Sequence, residues 1–208
     1  MKLLILGATG PTGRLVVERA LRAGDTCTVF VRNPAKLGDL AGQVTVVTGD
    51  ATSPSDVAAA VPGHDAVISA LGQGRSLTSG GLYARAAAAV IAAAKQSNVS
   101  RLVWMSSFGV GDTLRSASLN QKLMYRTMLR PVYADKAAAD ERIRASGLDW
   151  TLIYPTALTN GPAKHAYRVG ERLSMKGIRT ISRADVAAFM VDAAHESEWV
   201  GRDAVITD

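Results

Sequence analysis

"LLILGATGPTG" occupies residues 3–13 and places three glycines, each three residues apart, directly after a four-residue apolar run. An uninterrupted apolar run is typical of a strand buried on both faces of a sheet, and Pro11 opens a helical pattern that ends at Gly24. A helix that follows a glycine turn presents N–H groups and the positive end of its dipole to an anion. The spacing is GxxGxxG rather than GxGxxG, so the inference depends on the strand and the helix around it. We expect a dinucleotide phosphate to bind at Gly7, Thr9, Gly10, Pro11, Thr12 and Gly13.

Further apolar runs of strand length recur along the chain with helical patterns between them, which indicates a parallel sheet. The predicted strands are KLLILG (2–7), TCTVFVR (26–32), QVTVVTGD (43–50), DAVISALG (65–72), RLVWMSS (101–107) and DWTLIYP (149–155). The sequence therefore predicts the α/β class and a single-domain Rossmann fold, that is, a doubly wound parallel sheet with helices on both faces.

The length of 208 residues fits one domain, so we interpret residues 1–208 as a single nucleotide-binding domain. Two segments, at about 108–132 and 156–181, interrupt the alternation of strands and helices. Each follows the carboxyl end of a predicted strand, where open α/β sheets bind ligands. We expect these insertions to be substrate loops.

Composition restricts the classes of partner. The formal charge is +6, but the basic residues are scattered, so an anionic small ligand is favoured over nucleic acid. The longest apolar helical pattern is too short to cross a bilayer, and we predict no membrane association. Cys27 is the only cysteine, which favours a reducing cytoplasm. The three histidines lack metal-like spacing, so no metal site is expected, and the sequence leaves the oligomeric state open.

Residues after the second, third and fourth predicted strands suggest which nucleotide binds. Arg32 stands where an NAD site would present an acidic residue to the ribose, and a guanidinium can bind a 2′-phosphate bidentately. We therefore expect NADP(H), with Lys36 as a second cation. Asp50 is placed either to touch the adenine edge or to cap the next turn. The small residues Ala70, Leu71 and Gly72 would form a wall along the cofactor ribose.

Several longer stretches make the chain similar to a known family. They are GATGPTG (7–13), VRNPAKL (31–37), GDATSPSDVAAAVPGHDAVISALG (49–72), RLVWMSSFGVG (101–111), ASGLDWTLIYPTALTNGP (145–162) and ISRADVAAFM (181–190). Together they resemble the atypical short-chain dehydrogenase/reductases, in the NAD(P)H-binding, NmrA-like branch that contains biliverdin reductase B, an NADPH-dependent flavin reductase. The resemblance implies NADPH, reduction of flavins or similar planar acceptors, and a nicotinamide wall formed by Pro155, Thr156, Ala157 and Leu158. The branch also contains NADP-binding regulators without known turnover.

Typical members of the superfamily use a serine after the fifth strand and a Tyr-x-x-x-Lys pair on the next helix. Ser106 and Ser107 match the serine site, Ser107 better, and Lys136 resembles the lysine. Four residues before Lys136 stands Val132, and Tyr133 is one position out of phase, which rotates it by about 100° on a helix. Tyr133 could still reach the site if the helix begins near Pro131.

The missing tyrosine favours one reaction type over another. Reduction of a carbonyl develops alkoxide charge and needs a positioned acid, whereas a flavin or quinone delocalises the charge that hydride brings. The leading hypothesis is an NADPH-dependent reductase of a planar conjugated acceptor (a flavin, a quinone or a tetrapyrrole). Ser107 would then bond the nicotinamide amide or the acceptor, with a strand-end cap as its structural alternative, and Ser106 would contact the cofactor. The alternatives are an NADP(H)-sensing regulatory protein and a carbonyl reductase or isomerase that uses Tyr133 with Lys136.

Two further patterns are read structurally. Apolar residues of the first insertion recur at helical spacing, which indicates either a packed helix or a mobile lid over the acceptor: Leu119, Leu123, Met124, Met128 and Leu129. Ser182 and Asp185 form a capping box before the last helical pattern.

Overall fold

A computed structural model describes residues 1–74, 78–116, 129–175 and 179–208, together with residues 123, 127 and 177. The strands are β1 (Lys2–Leu6), β2 (Thr26–Val31), β3 (Thr45–Thr48), β4 (Ala66–Ser69), β5 (Arg101–Met105), β6 (Asp149–Pro155), β7 (Ala157–Thr159), β8 (Arg168–Gly170), β9 (Thr180–Ser182) and β10 (Arg202–Thr207). The α-helices are α1 (Pro11–Arg22), α2 (Pro54–Ala60), α3 (Leu82–Gln96), α4 (Arg130–Arg144) and α5 (Arg183–His195), and 3₁₀ segments cover Pro34–Gly42 and Gly111–Ser116.

The main sheet of the described residues has the strand order β3-β2-β1-β4-β5-β6-β10-β8. All neighbours pair in parallel except β8, which runs antiparallel to β10 at the edge. The order reverses between β1 and β4, where Leu6 pairs with Ser69. This is the switch point at which doubly wound sheets bind ligands. The predicted fold class is confirmed: the chain is a Rossmann-like α/β domain.

Helices cover both faces of the sheet because each central strand is apolar on both sides. Leu3 and Ile5 of β1 pack in the core beneath α1 and α5, whereas Leu4 and Leu6 pack in the core beneath α2, α3 and α4. Residues of a strand alternate between faces, so the continuous run "LLIL" supplies two residues to each core. The carboxyl ends of β1, β4, β5 and β6 are thereby fixed along one edge.

Some predicted elements differ from the structure. Strand β10, beside β6, is absent from the predicted strands, and the second insertion contributes the short strands β7, β8 and β9. The first insertion carries a 3₁₀ turn, but Leu119, Met124 and Met128 lie outside the described residues, so the choice between packed helix and lid stays a prediction. In the described ranges, no helix combines the length and the apolar character needed to cross a bilayer.

Candidate active site

Two glycines of the first turn are required by backbone packing. Gly7 has φ +82°, and a Cβ there would lie 2.5 Å from the carbonyl oxygen of Ala70. A Cβ on Gly13 would lie 2.1 Å from the carbonyl oxygen of Gly7. Non-bonded atoms do not approach so closely, so any side chain at these positions would push β1, β4 and α1 apart.

Gly10 has a different role because its backbone is not strained. It is the N-cap of α1 with φ −82°, and the one near neighbour that a Cβ there would have among the described residues is the Gly7 carbonyl oxygen at 3.3 Å. No side chain in the part of the chain that the structure describes caps α1, and the first turn of the helix holds no acidic residue. Pro11 is exposed at the first helical position, Thr9 is half-buried and Thr12 is buried. The turn thus leaves its concave side and the helix N-terminus accessible to an anion, which fits a dinucleotide phosphate.

Arg32 and Lys36 are both exposed, Arg32 directly after β2 and Lys36 in the 3₁₀ segment. Asp50 follows β3, and its Oδ1 accepts hydrogen bonds from the N–H (2.8 Å) and the Oγ1 (2.9 Å) of Thr52. These bonds lower the pKa of Asp50, and the positive charge of Arg32 adds to the effect. The structure therefore shows the turn-capping role of Asp50 and brings its carboxylate near Arg32.

The end of β4 lies against the glycine turn. Ala70 donates its N–H to the carbonyl oxygen of Leu6 at 2.9 Å and is buried. Leu71 is half-buried and Gly72 exposed. These three small or apolar residues follow the switch point, as a wall along a bound nucleotide requires.

Three residues of α4 hold three consecutive residues that follow β5. The hydroxyl of Tyr133 donates to the carbonyl oxygen of Phe108 at 3.3 Å. The Nζ of Lys136 donates to the Oγ of Ser107 at 2.7 Å and to the carbonyl oxygen of Ser106 at 3.2 Å.

The Oγ of Ser106 donates in turn to Oδ2 of Asp140 at 2.7 Å. Spacings of three and four place Tyr133, Lys136 and Asp140 on one face of the helix. We call this set the α4 clamp.

The sequence missed Asp140, although its position one helical turn after Lys136 is a signal that could have found it. Val132, at the position of the family's tyrosine, is buried in the core. Since α4 begins at Arg130, Tyr133 still reaches the end of β5, but a main-chain carbonyl engages its hydroxyl.

Burial changes the acidity of the two ionisable groups in the clamp. Desolvation lowers the pKa of Lys136 to about 8, against the opposing charges of Asp140 and Asp135. The ammonium also lies 4.7 Å from the ring centre of Tyr83. Desolvation raises the pKa of Asp140 to about 6, although bonds from Ser106 and Tyr154 oppose it. Both groups therefore titrate much closer to neutrality than their exposed counterparts.

The segment after β6 lies beside the clamp. The N–H of Phe108 bonds the carbonyl oxygen of Pro155 at 3.0 Å, which ties the ends of β5 and β6 together. Thr156 is buried and bonds Ile206 through its N–H at 3.1 Å. Ala157 is exposed and Leu158 half-buried, both in the small parallel pair of β7 with β9.

Asp185 anchors the second predicted substrate loop. Its buried carboxylate accepts from the N–H groups of Lys164 (3.0 Å) and His165 (2.9 Å) and from the Oγ of Ser182 (2.6 Å). His165 has φ +53°, a left-handed conformation that the bond to Asp185 holds. Ser182 caps α5 as predicted, since its Oγ accepts from the N–H of Asp185 at 2.9 Å, but the Asp185 carboxylate bonds the hydroxyl of Ser182 and not its main-chain N–H. The role predicted for Asp185 at the start of the helix does not include its hydrogen bonds to the loop at Lys164 and His165.

Both insertions also border a cavity of about 370 Å³ on the sheet face next to α4. Its lining includes Phe108 and Thr113 from the first insertion and Leu173 from the second. It extends toward Trp150 and Gly201, at the amino ends of β6 and β10. The cavity therefore lies along the sheet and not over the two serines.

The comparisons with known proteins agree with this fold. The model of the NAD(P)H-binding family matches residues 7–197. The chain belongs to the NAD(P)H-binding family. The predicted resemblance to atypical short-chain dehydrogenase/reductases is confirmed, and the chain has an NAD(P)H-binding oxidoreductase fold.

Three similar proteins illustrate the range of the family. The uncharacterized sugar epimerase YhfK of Bacillus subtilis is 28% identical, over 100% of this chain and 94% of its own. Reductase pytE of Aspergillus terreus is 26% identical, over 97% and 95%. The structure of ChuY, an anaerobilin reductase from Escherichia coli O157:H7, superposes with a TM-score of 0.83 at 26% identity, over 99% and 96%.

Proposed function

We propose that the protein is an NADPH-dependent reductase that transfers hydride to a flavin, quinone, tetrapyrrole or related planar conjugated acceptor. The observation that carries this proposal is the α4 clamp. Lys136 holds Ser107, but Val132 and not a tyrosine stands four residues before the lysine, and the hydroxyl of Tyr133 is bonded to the carbonyl oxygen of Phe108. The site thus orients a serine and a cation without a free phenol to protonate an alkoxide.

The cofactor assignment rests on two accessible features. The uncapped N-terminus of α1, beside Gly10, would hold the pyrophosphate, and NADPH when bound supplies the hydride. Arg32 is exposed at the end of β2, and its positive charge acts on Asp50. A guanidinium there favours the 2′-phosphate of NADPH over the ribose hydroxyls of NADH.

The residues at the carboxyl edge position the reactants. Ala70, Leu71 and Gly72 would border the ribose, while Pro155, Thr156, Ala157 and Leu158 would border the nicotinamide. Ser107 would donate a hydrogen bond to the carboxamide or to the acceptor, because the Nζ of Lys136 already occupies a lone pair of its Oγ. Orientation of two flat rings at hydride distance supplies most of the acceleration. The reductases among the relatives, including the anaerobilin reductase, support this class of acceptor.

The test is oxidation of NADPH by the purified protein with FMN, riboflavin, biliverdin, a simple quinone and an aliphatic ketone, with NADH as the cofactor control. We expect turnover with the conjugated acceptors, preference for NADPH, and no turnover with the ketone. Tyr133→Phe should retain most of the rate.

Other outcomes of this assay would point elsewhere. Ketone turnover that is lost in Tyr133→Phe would identify a carbonyl reductase. Tight NADPH binding without oxidation by any of these acceptors would identify an NADP(H) sensor.

A further inference from the structure

The ionisable side chain of Asp140 is almost completely buried, with an exposed fraction of 1%. Two hydroxyls, from Ser106 at 2.7 Å and from Tyr154 at 3.0 Å, donate to the same oxygen, Oδ2. Among the described residues Oδ1 is buried without a hydrogen-bond partner. A buried carboxylate with an unbonded oxygen is costly, and an amide could accept the same two hydrogen bonds at lower cost.

We propose that Asp140 is a positioning residue of the reductase site. It holds Ser106 by a hydrogen bond, and its negative charge keeps Lys136 protonated, so that the ammonium can hold Ser107. This inference rests on the proposed function, because the two serines matter to catalysis only if the acceptor or the nicotinamide binds beside them. Asp140 itself touches neither.

The geometry explains why charge is needed and not only hydrogen bonding. Lys136 is 7% exposed, and as an ammonium it donates to Ser106 and Ser107. As a neutral amine it would donate fewer hydrogen bonds and lose its attraction to the ring of Tyr83. Asp140 lies one helical turn away, and its negative charge raises the pKa of Lys136 against the effect of desolvation.

The charged and titratable groups around the pair come from several elements. The charges of Asp140 and Asp135, on the same helix, raise the pKa of Lys136, and the ammonium contacts the ring of Tyr83 of α3. The hydroxyl of Tyr154 of β6 donates a hydrogen bond to Asp140, and the positive charge of Arg144, on the same helix, lowers the pKa of Asp140. Arg144 donates to the Tyr154 hydroxyl at 2.6 Å and to Asp203 of β10 at 2.9 Å. A series of hydrogen bonds thus links the α4 clamp to the protein surface, from Asp140 through Tyr154 and Arg144 to Asp203.

The primary experiment follows the titration of Lys136 by NMR in protein with ¹³C-labelled lysine, using Lys136→Met to assign the signal. Asp140→Asn should lower the pKa of Lys136 by about half a pH unit or more, because a neighbouring negative charge is lost. Glu141→Gln, the adjacent exposed carboxylate of the same helix, is the matched control and should leave the pKa unchanged. An equal Lys136 pKa in Asp140→Asn and the wild type would overturn the proposal.

A second measurement keeps the proposal testable if Asp140→Asn does not fold. In the wild-type protein the Lys136 signal should show a smaller, separate step where Asp140 ionises, near pH 6. A single step for Lys136 over the whole range would equally overturn the proposal.

Neither titration requires an acceptor, so the inference and the proposed function can fail independently. In an active enzyme the alkaline limb of kcat/KM should move to lower pH in Asp140→Asn together with the Lys136 titration. A rate that falls by the same factor at every pH, with the titration unmoved, would show a structural role only and would overturn the proposal. Absence of turnover in the wild type would instead refute the reductase.

Discussion

The Nζ of Lys136 lies 2.7 Å from the Oγ of Ser107, a contact between two residues 29 positions apart in the chain. It joins α4 to the end of β5 at the carboxyl edge of the sheet. Because the lysine is buried, the same contact makes the site sensitive to pH.

Removal of this buried cation should change the dependence of stability on pH. The pKa of Lys136 is about 8 in the folded protein, and the ordinary lysine value of 10.5 applies in the unfolded chain. Between these values the unfolded chain binds more protons, so the free energy of unfolding should rise with pH across this window. Lys136→Met should abolish that rise. Urea unfolding at several pH values compares the two proteins, and parallel curves would contradict the assignment.

Substitution of Arg32 should change cofactor preference and leave the fold intact. We expect Arg32→Ala to weaken NADPH binding by about 10- to 100-fold, as loss of charge-assisted hydrogen bonds predicts, with little effect on NADH. Titration calorimetry with both nucleotides measures this, and Arg22→Ala, which removes an exposed arginine at the far end of α1, is the control. Equal losses for NADPH and NADH would rule out contact with the 2′-phosphate.

Substitutions of two glycines in the first turn should differ in their effects on stability and on NADPH binding. Gly13→Ala places a methyl group 2.1 Å from a carbonyl oxygen, and we expect it to lower the free energy of unfolding by about 3 kcal/mol or more. Gly10→Ala should cost about 1 kcal/mol or less but weaken NADPH binding, because the methyl group faces the proposed phosphate. Denaturant unfolding and a binding isotherm on each variant test the pair. Similar stabilities for both would refute the packing argument.

Loss of the Asp185 carboxylate should release the loop at Lys164 and His165. Asp185→Ala removes the acceptor of two part-buried main-chain N–H groups and of the buried Ser182 hydroxyl, so we expect a loss of about 3 kcal/mol in unfolding free energy. The KM for the acceptor should rise more than the Kd for NADPH. Asp192→Ala, on the same helix, breaks only a half-exposed pair with Arg19 and should cost about 1 kcal/mol or less. An unchanged acceptor KM in Asp185→Ala would show that this loop does not border the substrate.

The sequence predicted those parts of the site that depend on local pattern. The glycine turn, the position of Arg32 after β2 and the buried strands all follow from spacing within a few residues. The phase difference between Val132 and Tyr133 was likewise visible in the sequence, because helical geometry is regular.

The remainder depended on contacts between distant segments. The bond from Ser106 to Asp140 spans 34 residues, and that from His165 to Asp185 spans 20. Capping-box spacing identified Ser182 but could not indicate the loop held by the same carboxylate. Strand β10 pairs with β6 across about 50 residues of sequence, and its place there is not predicted from the sequence.

The contrast between the packed glycines and the exposed Arg32 has an evolutionary consequence. Gly7 and Gly13 are fixed by main-chain atoms of neighbouring elements, so a lineage cannot vary them and keep the fold. Arg32 lies outside that packing, and with its proposed role at the 2′-phosphate, drift at this one codon would change the nucleotide that the protein uses. Descendants of such a scaffold would thus differ in whether they use NADPH or NADH while their architecture stays constant.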